Sequence, residues 1–485
     1  MGNVYLGIGV ILIVIVLYYY SWKKYSESMF TLALFLIISA GFLLRVYTSL
    51  DFYLHPWDER YHALVAKNLI LHPFLPTLYD TPILDYDYKV WISNNVWLHK
   101  PPFALWLISL SLKVFGLSEF AVRIPSIILS TFGIIVVYKL ADELFIKRIA
   151  FIAAFLFSIH GLIIELTAGR VSTDHVDISF MFLILLSVYL SVLFAKYKKI
   201  RFNLLAGFVL GLAVLTKLYA AFIVVPIWFA IVLNYRNFSF KEIALGIIGL
   251  IAISSLVFSP WIIYINIYFP DEVLWESHMS LLHFTKVVEE RTGPLYFHFD
   301  NMRLLFGEGV YLAIIWLIYR YVKTKRNFNY MALLIWVFIP YLVFTLAVTK
   351  MQTYIMIAAP ALFITTAIFI DYLLSNIKSF KYKWVVIIAI IILIGLPIRY
   401  SIERIKPFTV MERNPEWAEE TRNIAQQIDG KNAVLFGYDR PIEAMFYGDG
   451  IVYSGIPDLI LIKSIKEDGF NVFVYNKNDG TISPF

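Results

Sequence analysis

The stretch VYLGIGVILIVIVLYYY, residues 4–20, decides the fold class because it is apolar throughout and carries no charge. A helix over such a run approaches the thickness of a membrane hydrocarbon core, about 30 Å. No small-residue cleavage site follows the stretch, and a second apolar run begins near residue 29. We therefore interpret residues 4–20 as a retained membrane helix and not as a removed signal peptide.

The composition of the whole chain points the same way. Apolar residues make up 60% of the 485 residues and charged residues only 16%, whereas soluble domains carry about 25% charged residues. The net charge of +6 would suggest a nucleic-acid partner in a soluble chain. Here the basic residues lie in short loops that orient a membrane protein, so no nucleic acid is expected. The absence of cysteine excludes disulfides and thiolate metal sites.

Six short basic loops separate the apolar runs. Because cationic short loops stay on the cytoplasmic side, placing all six there predicts about twelve spans with both termini outside. The loops are WKKYSES (22–28), FIKR (145–148), KYKKIR (196–201), NYRNFSFK (234–241), RYVKTKR (320–326) and NIKSFKYK (376–383). The predicted spans run near 4–20, 29–47, 119–142, 149–165, 178–195, 203–216, 219–233, 243–267, 305–321, 330–348, 354–374 and 384–400.

The remaining segments are external in this arrangement. They are the first long loop, 48–118, and the loops 166–177, 268–304 and 349–353. Long polar segments therefore all face one way, and loops carry function disproportionately. This predicts an integral protein of the cell (plasma) membrane with its chemistry on the extracytoplasmic side.

The tail, residues 401–485, reads as a different kind of sequence. NAVLFGY, GIVYSG and NVFVYNK are predicted strands, PDLILIKSIKED is a predicted helix, and NPEWAEETRNIAQQI is a helix with Asn414 as N-cap and Pro415 as its first residue. No glycine-rich phosphate fingerprint is present, so packing, covering the site or docking an acceptor is favoured over nucleotide binding. The expected fold class is a mainly α, polytopic membrane helix bundle over 1–400, with interfacial helices in the first long loop, followed by a small extracytoplasmic α/β domain over 401–485.

Two adjacent acids begin the helix predicted in HPWDERYHALVAKNL, residues 55–69. The aromatic side chains Trp57 and Tyr61 share one side of this helix, a pattern typical of the membrane interface. Asp58 would then be held beside the bilayer. Acids are also favourable at any helix N-terminus, so the residues alone leave a structural role equally open for Asp58 and Glu59.

Two further motifs put charged residues at the interface. In WLHKPPFALW (97–106), Lys100 precedes two prolines that fix the backbone. A lysine held there is placed to meet a lipid phosphate, although lysines also extend from helix ends to the interface without a function. In ELTAGRVSTDHVDISF (165–180), Asp174 and His175 lie at the mouth of a span, where ionisable groups are functional candidates by default.

The order of these motifs resembles membrane glycosyltransferases of the GT-C superfamily, in the branch of protein O-mannosyltransferases and lipid A aminoarabinose transferases. The similarity covers about residues 29–375. The motifs that carry it are DERY (58–61), KPPFALW (100–106), FGLSEFAVRIPS (115–126), LAGFVLGLAVLTKLYA (205–220) and KMQTYIMIAAPAL (350–362).

The resemblance implies an inverting transferase. It would move a sugar from a polyprenyl- or dolichyl-phosphate carrier in the membrane lipid to an acceptor lipid, glycan or protein hydroxyl. The implied catalytic group is Asp58 as general base with Asp174 and Glu59. The expected donor-phosphate group is Lys100, Lys350, Tyr354 and Arg291, and the expected substrate-positioning group is Arg60, Tyr61 and His175.

The resemblance also implies a divalent ion, as in some relatives, at the positions of His99 and His278, although His99 stands where the family pattern has a carboxylate. Two imidazoles and a carboxylate would suit Zn²⁺, and Mg²⁺ or Mn²⁺ are alternatives. The sequence has no metal-binding spacing motif around either residue. Ordinary interfacial histidines are therefore the favoured interpretation, and no cofactor is certain.

Two other functions remain open on the sequence. One is a transporter or flippase of lipid-linked sugars, which would carry polar residues near the bilayer midplane. The other is an inactive scaffold whose tail binds a partner. The predicted spans are nearly uncharged inside and the polar groups collect on one face, which favours an interfacial enzyme.

Overall fold

The computed structural model describes residues 2–235, 237–324, 327–428, 430–477 and 480–485. Its α-helices are α1 (Gly2–Ser26), α2 (Phe30–Thr48), α3 (Asp58–Asn68), α4 (Phe103–Phe115), α5 (Glu119–Leu144), α6 (Lys147–Ser158), α7 (Gly161–Thr167), α8 (Asp174–Tyr197), α9 (Ile200–Lys217), α10 (Val224–Asn234), α11 (Phe240–Tyr268), α12 (Pro270–Thr285), α13 (Phe297–Phe306), α14 (Val310–Lys323), α15 (Phe328–Leu346), α16 (Ala359–Asn376), α17 (Lys383–Ile405), α18 (Glu416–Gln427), α19 (Pro441–Tyr447) and α20 (Leu459–Glu467). The 3₁₀ helices are Leu218–Ile223, Tyr354–Ala358 and Ile377–Ser379, and the strands are β1 (Ala433–Phe436), β2 (Ile451–Tyr453), β3 (Asn471–Asn476) and β4 (Thr481–Pro484).

The chain divides into two compact units. Unit 1 comprises residues 1–48, 126–168 and 176–410, and unit 2 comprises residues 49–125, 169–175 and 411–485. The sequence predicts a small α/β domain over residues 401–485. In the structure, the C-terminal segment 411–485 instead forms one unit with the first long loop.

Unit 1 carries the apolar helices of an integral membrane protein. Within the described ranges, nine helical segments are long and apolar enough to cross a membrane, and eleven if each of two bent helix pairs counts as one span. The bent pairs are α6 with α7, at 53°, and α13 with α14, at 105°. The mainly α, polytopic fold class is therefore confirmed.

With each bent pair counted as one span, the described ranges hold one span fewer than the twelve predicted, and the difference lies in one element. The predicted spans 203–216 and 219–233 are the two halves of a single helical segment, Ile200–Asn234. A positive φ of 52° at Leu218 breaks the regular helix between α9 and α10. Of the basic loops, Arg236, Lys325 and Arg326 lie outside the described residues.

Many large apolar side chains of unit 1 are exposed. Leu12 of α1, Ile248 of α11 and Ile391 of α17 are 59%, 61% and 61% exposed. Soluble proteins rarely expose apolar surface continuously. Along helices of this length, such surface is what lipid tails contact.

Unit 2 has a core to which its distant segments contribute jointly. Tyr61 and Leu64 of α3 and Trp97 of the first long loop are buried in one cluster with Val434 of β1 and Val472 of β3. Burial of each such side chain favours folding by about 1.5–3 kcal/mol. The first long loop and the C-terminal segment therefore depend on each other for their apolar core.

The sheet of unit 2 is small and mixed. Its strand order is β2-β1-β3-β4, with β1 parallel to β2 and β3, and β3 antiparallel to β4. The three predicted strands and the helix α20 are confirmed, whereas α19 and β4 were not predicted. The helix α18 begins one residue later than predicted, because Pro415 and not Asn414 occupies its N-cap position.

Candidate active site

Asp58 is the first residue of α3 and meets two groups of unit 2. Its Oδ2 atom accepts a hydrogen bond from the Thr173 backbone N–H at 3.1 Å and lies 3.9 Å from Lys100 Nζ. The two charged side chains are 17% and 14% exposed, so the pair is only slightly open to solvent. The structure thus brings together the acid of the first motif, the lysine of the second and the segment that contains Asp174.

The carboxyl group of Asp58 is strongly acidic. Burial alone would raise its pKa, but the ammonium of Lys100 and the imidazoles of His62 and His99 outweigh burial and lower the pKa to about 2. The Thr173 N–H contributes to the same effect by donating to the carboxylate. Asp58 is therefore a carboxylate at any physiological pH.

The backbone at Thr173 is strained in a way that serves this contact. Thr173 has a φ of 66°, a region that β-branched residues rarely adopt. Such a conformation costs of order 1–3 kcal/mol and persists only where its surroundings enforce it. Here it directs the Thr173 N–H toward Asp58.

Asp174 follows immediately and is paired with His62. The Oδ1 atom of Asp174 lies 2.9 Å from Nδ1 of His62, and both side chains are fully buried. His62 stands one turn after Asp58 on α3, and Asp174 opens α8. Asp58 and Asp174 are thus linked through the first turn of α3, because Asp58 begins this helix and His62, four residues later, contacts Asp174.

Glu59 is enclosed on all sides by donors. The Arg123 guanidinium donates to both oxygens, from Nε at 2.7 Å and from Nη2 at 3.0 Å. The His55 backbone N–H donates at 2.7 Å, and the rings of His55 and His175 lie 2.6 and 3.2 Å away. Although burial opposes ionisation, Arg123 and the histidines hold the pKa of Glu59 well below its usual range.

Asp51 joins three separate segments of unit 2. Its carboxylate accepts from Arg170 at 2.9 and 3.2 Å and from Arg413 at 2.9 Å, and it lies 3.2 Å from the His55 ring. Asp51 is 2% exposed. Because His55 contacts both carboxylates, the hydrogen-bond networks of Asp51 and Glu59 form one continuous cluster at the start of α3.

A glycine allows the segment 169–175 to approach this cluster. Gly169 has a φ of 74°, and a Cβ atom placed there would lie 2.3 Å from Oε1 of Glu59. No side chain fits in that space. Gly169 therefore lets the backbone pass directly over the Glu59 carboxylate.

Arg60 and Tyr61, the predicted substrate-positioning residues of α3, face the C-terminal segment. Arg60 donates to Oε1 of the buried Glu443 at 3.2 Å and to the Tyr61 hydroxyl at 3.3 Å. Tyr61 packs edge-on against Trp91. Both residues thus contribute to the packing of unit 2, and Arg60 is the more exposed of the two.

The candidate metal ligands lie in aromatic surroundings. The ring of His99 stacks on Trp91, with centroids 5.0 Å apart, and meets Trp97 at 5.6 Å. In unit 1, His278 has Trp275 as its ring neighbour. In the described part of the chain, no three histidine, aspartate or glutamate side chains are arranged to hold a metal ion. A metal ion held by His99 and His278 thus remains a prediction from the sequence alone.

Unit 1 holds the other predicted donor-phosphate residues. The Lys350 backbone N–H donates to the Arg291 carbonyl at 3.0 Å, so the loops that carry these two cations are adjacent. The Lys350 ammonium donates to the Thr345 and Ala347 carbonyls at 2.6 and 2.5 Å. It thereby caps the C-terminus of α15, and its burial lowers the pKa of Lys350. The Tyr354 ring lies 4.9 Å, centroid to centroid, from the tilted ring of Phe344 in α15.

Sequence reasoning missed several residues of the unit 2 cluster. Arg123 belongs to the motif FGLSEFAVRIPS, but nothing in its neighbouring residues predicts its partner Glu59. His62 lay four residues after Asp58, a spacing that places the two on one face of a helix. Asp51 and Arg413 gave no local signal, because their pairing spans most of the chain.

The chain is similar to a known family and to a solved structure. The chain matches the family model of dolichyl-phosphate-mannose-protein mannosyltransferase over residues 99–264. The crystal structure of ArnT from Cupriavidus metallidurans bound to undecaprenyl phosphate superposes with a TM-score of 0.64 at 14% identity, covering 91% of this chain and 93% of that one. The chain has the GT-C fold. The resemblance drawn from the sequence motifs is confirmed by these matches.

Two curated relatives match smaller shares of the chain. An uncharacterized protein of Aquifex aeolicus (strain VF5) is 24% identical over 351 residues, which cover 71% of this chain and 66% of that protein. An undecaprenyl phosphate-alpha-4-amino-4-deoxy-L-arabinose arabinosyl transferase of Erwinia tasmaniensis is 25% identical over 267 residues, 54% of this chain and 47% of that enzyme. The matched region thus spans between about half and two thirds of the curated relatives' own length.

Proposed function

We propose that this GT-C protein is an inverting glycosyltransferase. It moves a sugar from a polyprenyl- or dolichyl-phosphate carrier to a hydroxyl of a lipid, glycan or protein at the extracytoplasmic face of the cell membrane. The observation that carries the proposal is the Asp58 carboxylate, which stands between the Lys100 ammonium and the Thr173 N–H. The names of the matched family and of the Erwinia relative support a lipid-phosphate sugar donor.

The reaction is a single displacement. The acceptor oxygen attacks the anomeric carbon and forms a new C–O bond while the bond from that carbon to the phosphate oxygen breaks. The electron pair leaves with the lipid phosphate, and the hydroxyl proton passes to Asp58. Because attack and departure occur on opposite faces of the sugar, the configuration inverts.

Lys100 acts on both the departing phosphate and the proposed base Asp58. The departing lipid phosphate gains a negative charge, and a fixed cation that stabilises growing charge is usually a large catalytic contribution. A carboxyl group with a pKa of about 2 is always ionised but is a weak base. As Lys100 turns to the phosphate, its hold on Asp58 weakens and the carboxylate becomes more basic. Positioned general-base catalysis of this kind contributes about 10²–10⁴-fold.

The neighbouring residues act by position. Glu59, whose oxygens are all occupied by Arg123, His55 and His175, holds the start of α3 and is not free to take a proton. In unit 1, Lys350, Arg291 and Tyr354 remain our candidates for the donor phosphate. Lys350 would exchange the α15 carbonyls for phosphate oxygens, which bind an ammonium more strongly because they are charged.

The test uses release of the free lipid phosphate, which reports transfer whatever the acceptor. Purified protein is incubated with a membrane extract and with either undecaprenyl-phosphate-linked 4-amino-4-deoxy-L-arabinose or dolichyl-phosphate mannose. We expect one donor to be consumed and Asp58→Asn to slow its consumption by about 10²–10⁴-fold. The matched control is Asp85→Asn, which changes an exposed aspartate of the same loop and should have no effect.

Lys100→Gln separates binding from chemistry. It should weaken binding of undecaprenyl phosphate, measured directly on the purified protein, whereas Asp58→Asn should bind it normally. Full activity of Asp58→Asn would contradict the base assignment. A wild-type protein that moves lipid-linked sugars across vesicles without releasing lipid phosphate would be a flippase and would overturn the proposal.

A further inference from the structure

His62 and Asp174 form a buried pair that the reaction described above leaves without a role. Both side chains are 0% exposed, and the bond between Nδ1 and Oδ1 measures 2.9 Å. The His62 ring meets Trp97 edge-on at 5.6 Å, which fixes its orientation. Together with its place one turn after Asp58 on α3, this makes His62 a rigid support for the side chain of Asp174.

Each member of the pair has one polar atom left over. Oδ2 of Asp174 and Nε2 of His62 are buried and have no hydrogen-bond partner among the described residues. A buried carboxylate oxygen without a donor is costly, and such atoms call for an explanation. A substrate that brings an O–H group would satisfy Oδ2.

The two acids are also coupled through the backbone. Thr173 gives its N–H to Asp58, and the next residue is Asp174. A hydroxyl held by Oδ2 of Asp174 would therefore belong to a site whose position is fixed relative to the proposed base.

We infer that His62 is a positioning residue, which holds Asp174 by Oδ1 so that Oδ2 receives a substrate hydroxyl. The inference rests on the proposed function. The ligand is an O–H donor, either the acceptor's nucleophilic hydroxyl or a hydroxyl of the donor sugar. Asp174 orients this group, and His62 acts only through Asp174.

Three substitutions of His62 test the geometry. The side-chain N–H of asparagine lies near the position of Nδ1, whereas that of glutamine lies near the position of Nε2. His62→Asn should therefore keep the bond to Oδ1 and stay within about threefold of wild-type turnover. His62→Gln and His62→Leu should lose about 10–100-fold, since misplacement of a reacting group by about 1 Å is enough for such losses.

The measured quantities are turnover, by release of lipid phosphate, and the KM for the lipid-linked sugar. A fall in kcat with unchanged donor KM identifies the acceptor's hydroxyl as the group on Oδ2. A parallel rise in donor KM identifies a sugar hydroxyl instead. Equal activity of His62→Asn and His62→Gln would overturn the inference, even if His62→Leu fails to fold.

The two proposals fail differently. If wild-type protein releases no lipid phosphate from either donor, the proposed transferase function is wrong. If wild type is active and His62→Gln matches it, only the role of His62 is wrong.

Discussion

Replacing Glu59 by glutamine should lower the free energy of unfolding far more than the loss of an exposed ion pair does. The Glu59 carboxylate and the Arg123 guanidinium are both 0% exposed and share two hydrogen bonds of 2.7 and 3.0 Å. Glutamine keeps the shape of the side chain but removes its charge and turns one acceptor into a donor. Arg123 then loses the carboxylate to which it is hydrogen-bonded, and only the charges of Asp51 and Glu119 still act on it.

The size of the effect follows from this burial. Removing one partner of a buried ion pair costs about 3–5 kcal/mol. Arg123 also donates to the carbonyls of Ser49 and Tyr53, at 3.0 and 2.7 Å, and these bonds survive the change. We therefore expect the lower end, about 3 kcal/mol, which corresponds to roughly a 100-fold smaller folding constant.

The assay is thermal or denaturant unfolding of purified protein in one detergent. The control is Glu403→Gln, which removes an ion pair with Arg399 whose side chains are 51% and 64% exposed. Exposed pairs contribute about 0.3–0.5 kcal/mol, so this control should unfold like the wild type. Equal midpoints for Glu59→Gln and Glu403→Gln would refute the reasoning.

The same cluster predicts how the difference in unfolding free energy between wild type and Glu59→Gln depends on pH. Folding lowers the pKa of Glu59, so its stabilising effect is complete above the unfolded value of about 4.3 and is lost as pH falls toward the folded value. The gap between wild type and Glu59→Gln should therefore be constant near neutral pH. It should narrow in acid below about pH 4.

Two further predictions concern Asp58 and Gly169. Because the pKa of Asp58 is about 2, ionisation of this carboxyl group should cause no fall in kcat/KM between about pH 4 and 8. Lys100→Gln removes the ammonium that lowers this pKa, so the acidic fall in kcat/KM should move to higher pH. An unchanged position of that fall would contradict the role of Lys100 in lowering the pKa. Gly169→Ala would place Cβ 2.3 Å from Glu59 Oε1 at a φ of 74°, whereas Gly116→Ala has a similar φ of 85° but its Cβ would meet nothing within 4 Å. Gly169→Ala should therefore lower the unfolding free energy by about 1–3 kcal/mol more than Gly116→Ala. Equal losses on denaturant unfolding would show that the contact with Glu59 is relieved.

Local features of the sequence predicted the elements well. Apolar runs of membrane-spanning length predicted the helices of unit 1, and short continuous apolar runs predicted β1, β2 and β3. The start of α3 at Asp58 and the Lys-Pro-Pro turn at Lys100 are likewise local, so their position at the interface could be proposed. The catalytic and binding roles assigned to these residues remain predictions.

Long-range partners could not be predicted in this way. His62 and Asp174 are 112 residues apart, and Asp51 and Arg413 are 362 apart. Periodicity describes one element at a time and carries no information on which elements meet. For this reason the sequence predicts the C-terminal segment as a domain of its own, whereas residues 411–485 belong to the unit that holds Asp58.

The large sequence separation between Asp51 and Arg413 has a consequence for biosynthesis. A ribosome adds about 5–20 residues per second, so the arginine is synthesised roughly 20–70 s after its partner. During that interval the first long loop lacks both this counter-ion and the strands that bury Trp97. Until the C-terminal segment is synthesised, the loop therefore lacks these contacts and is more accessible to proteases or chaperones.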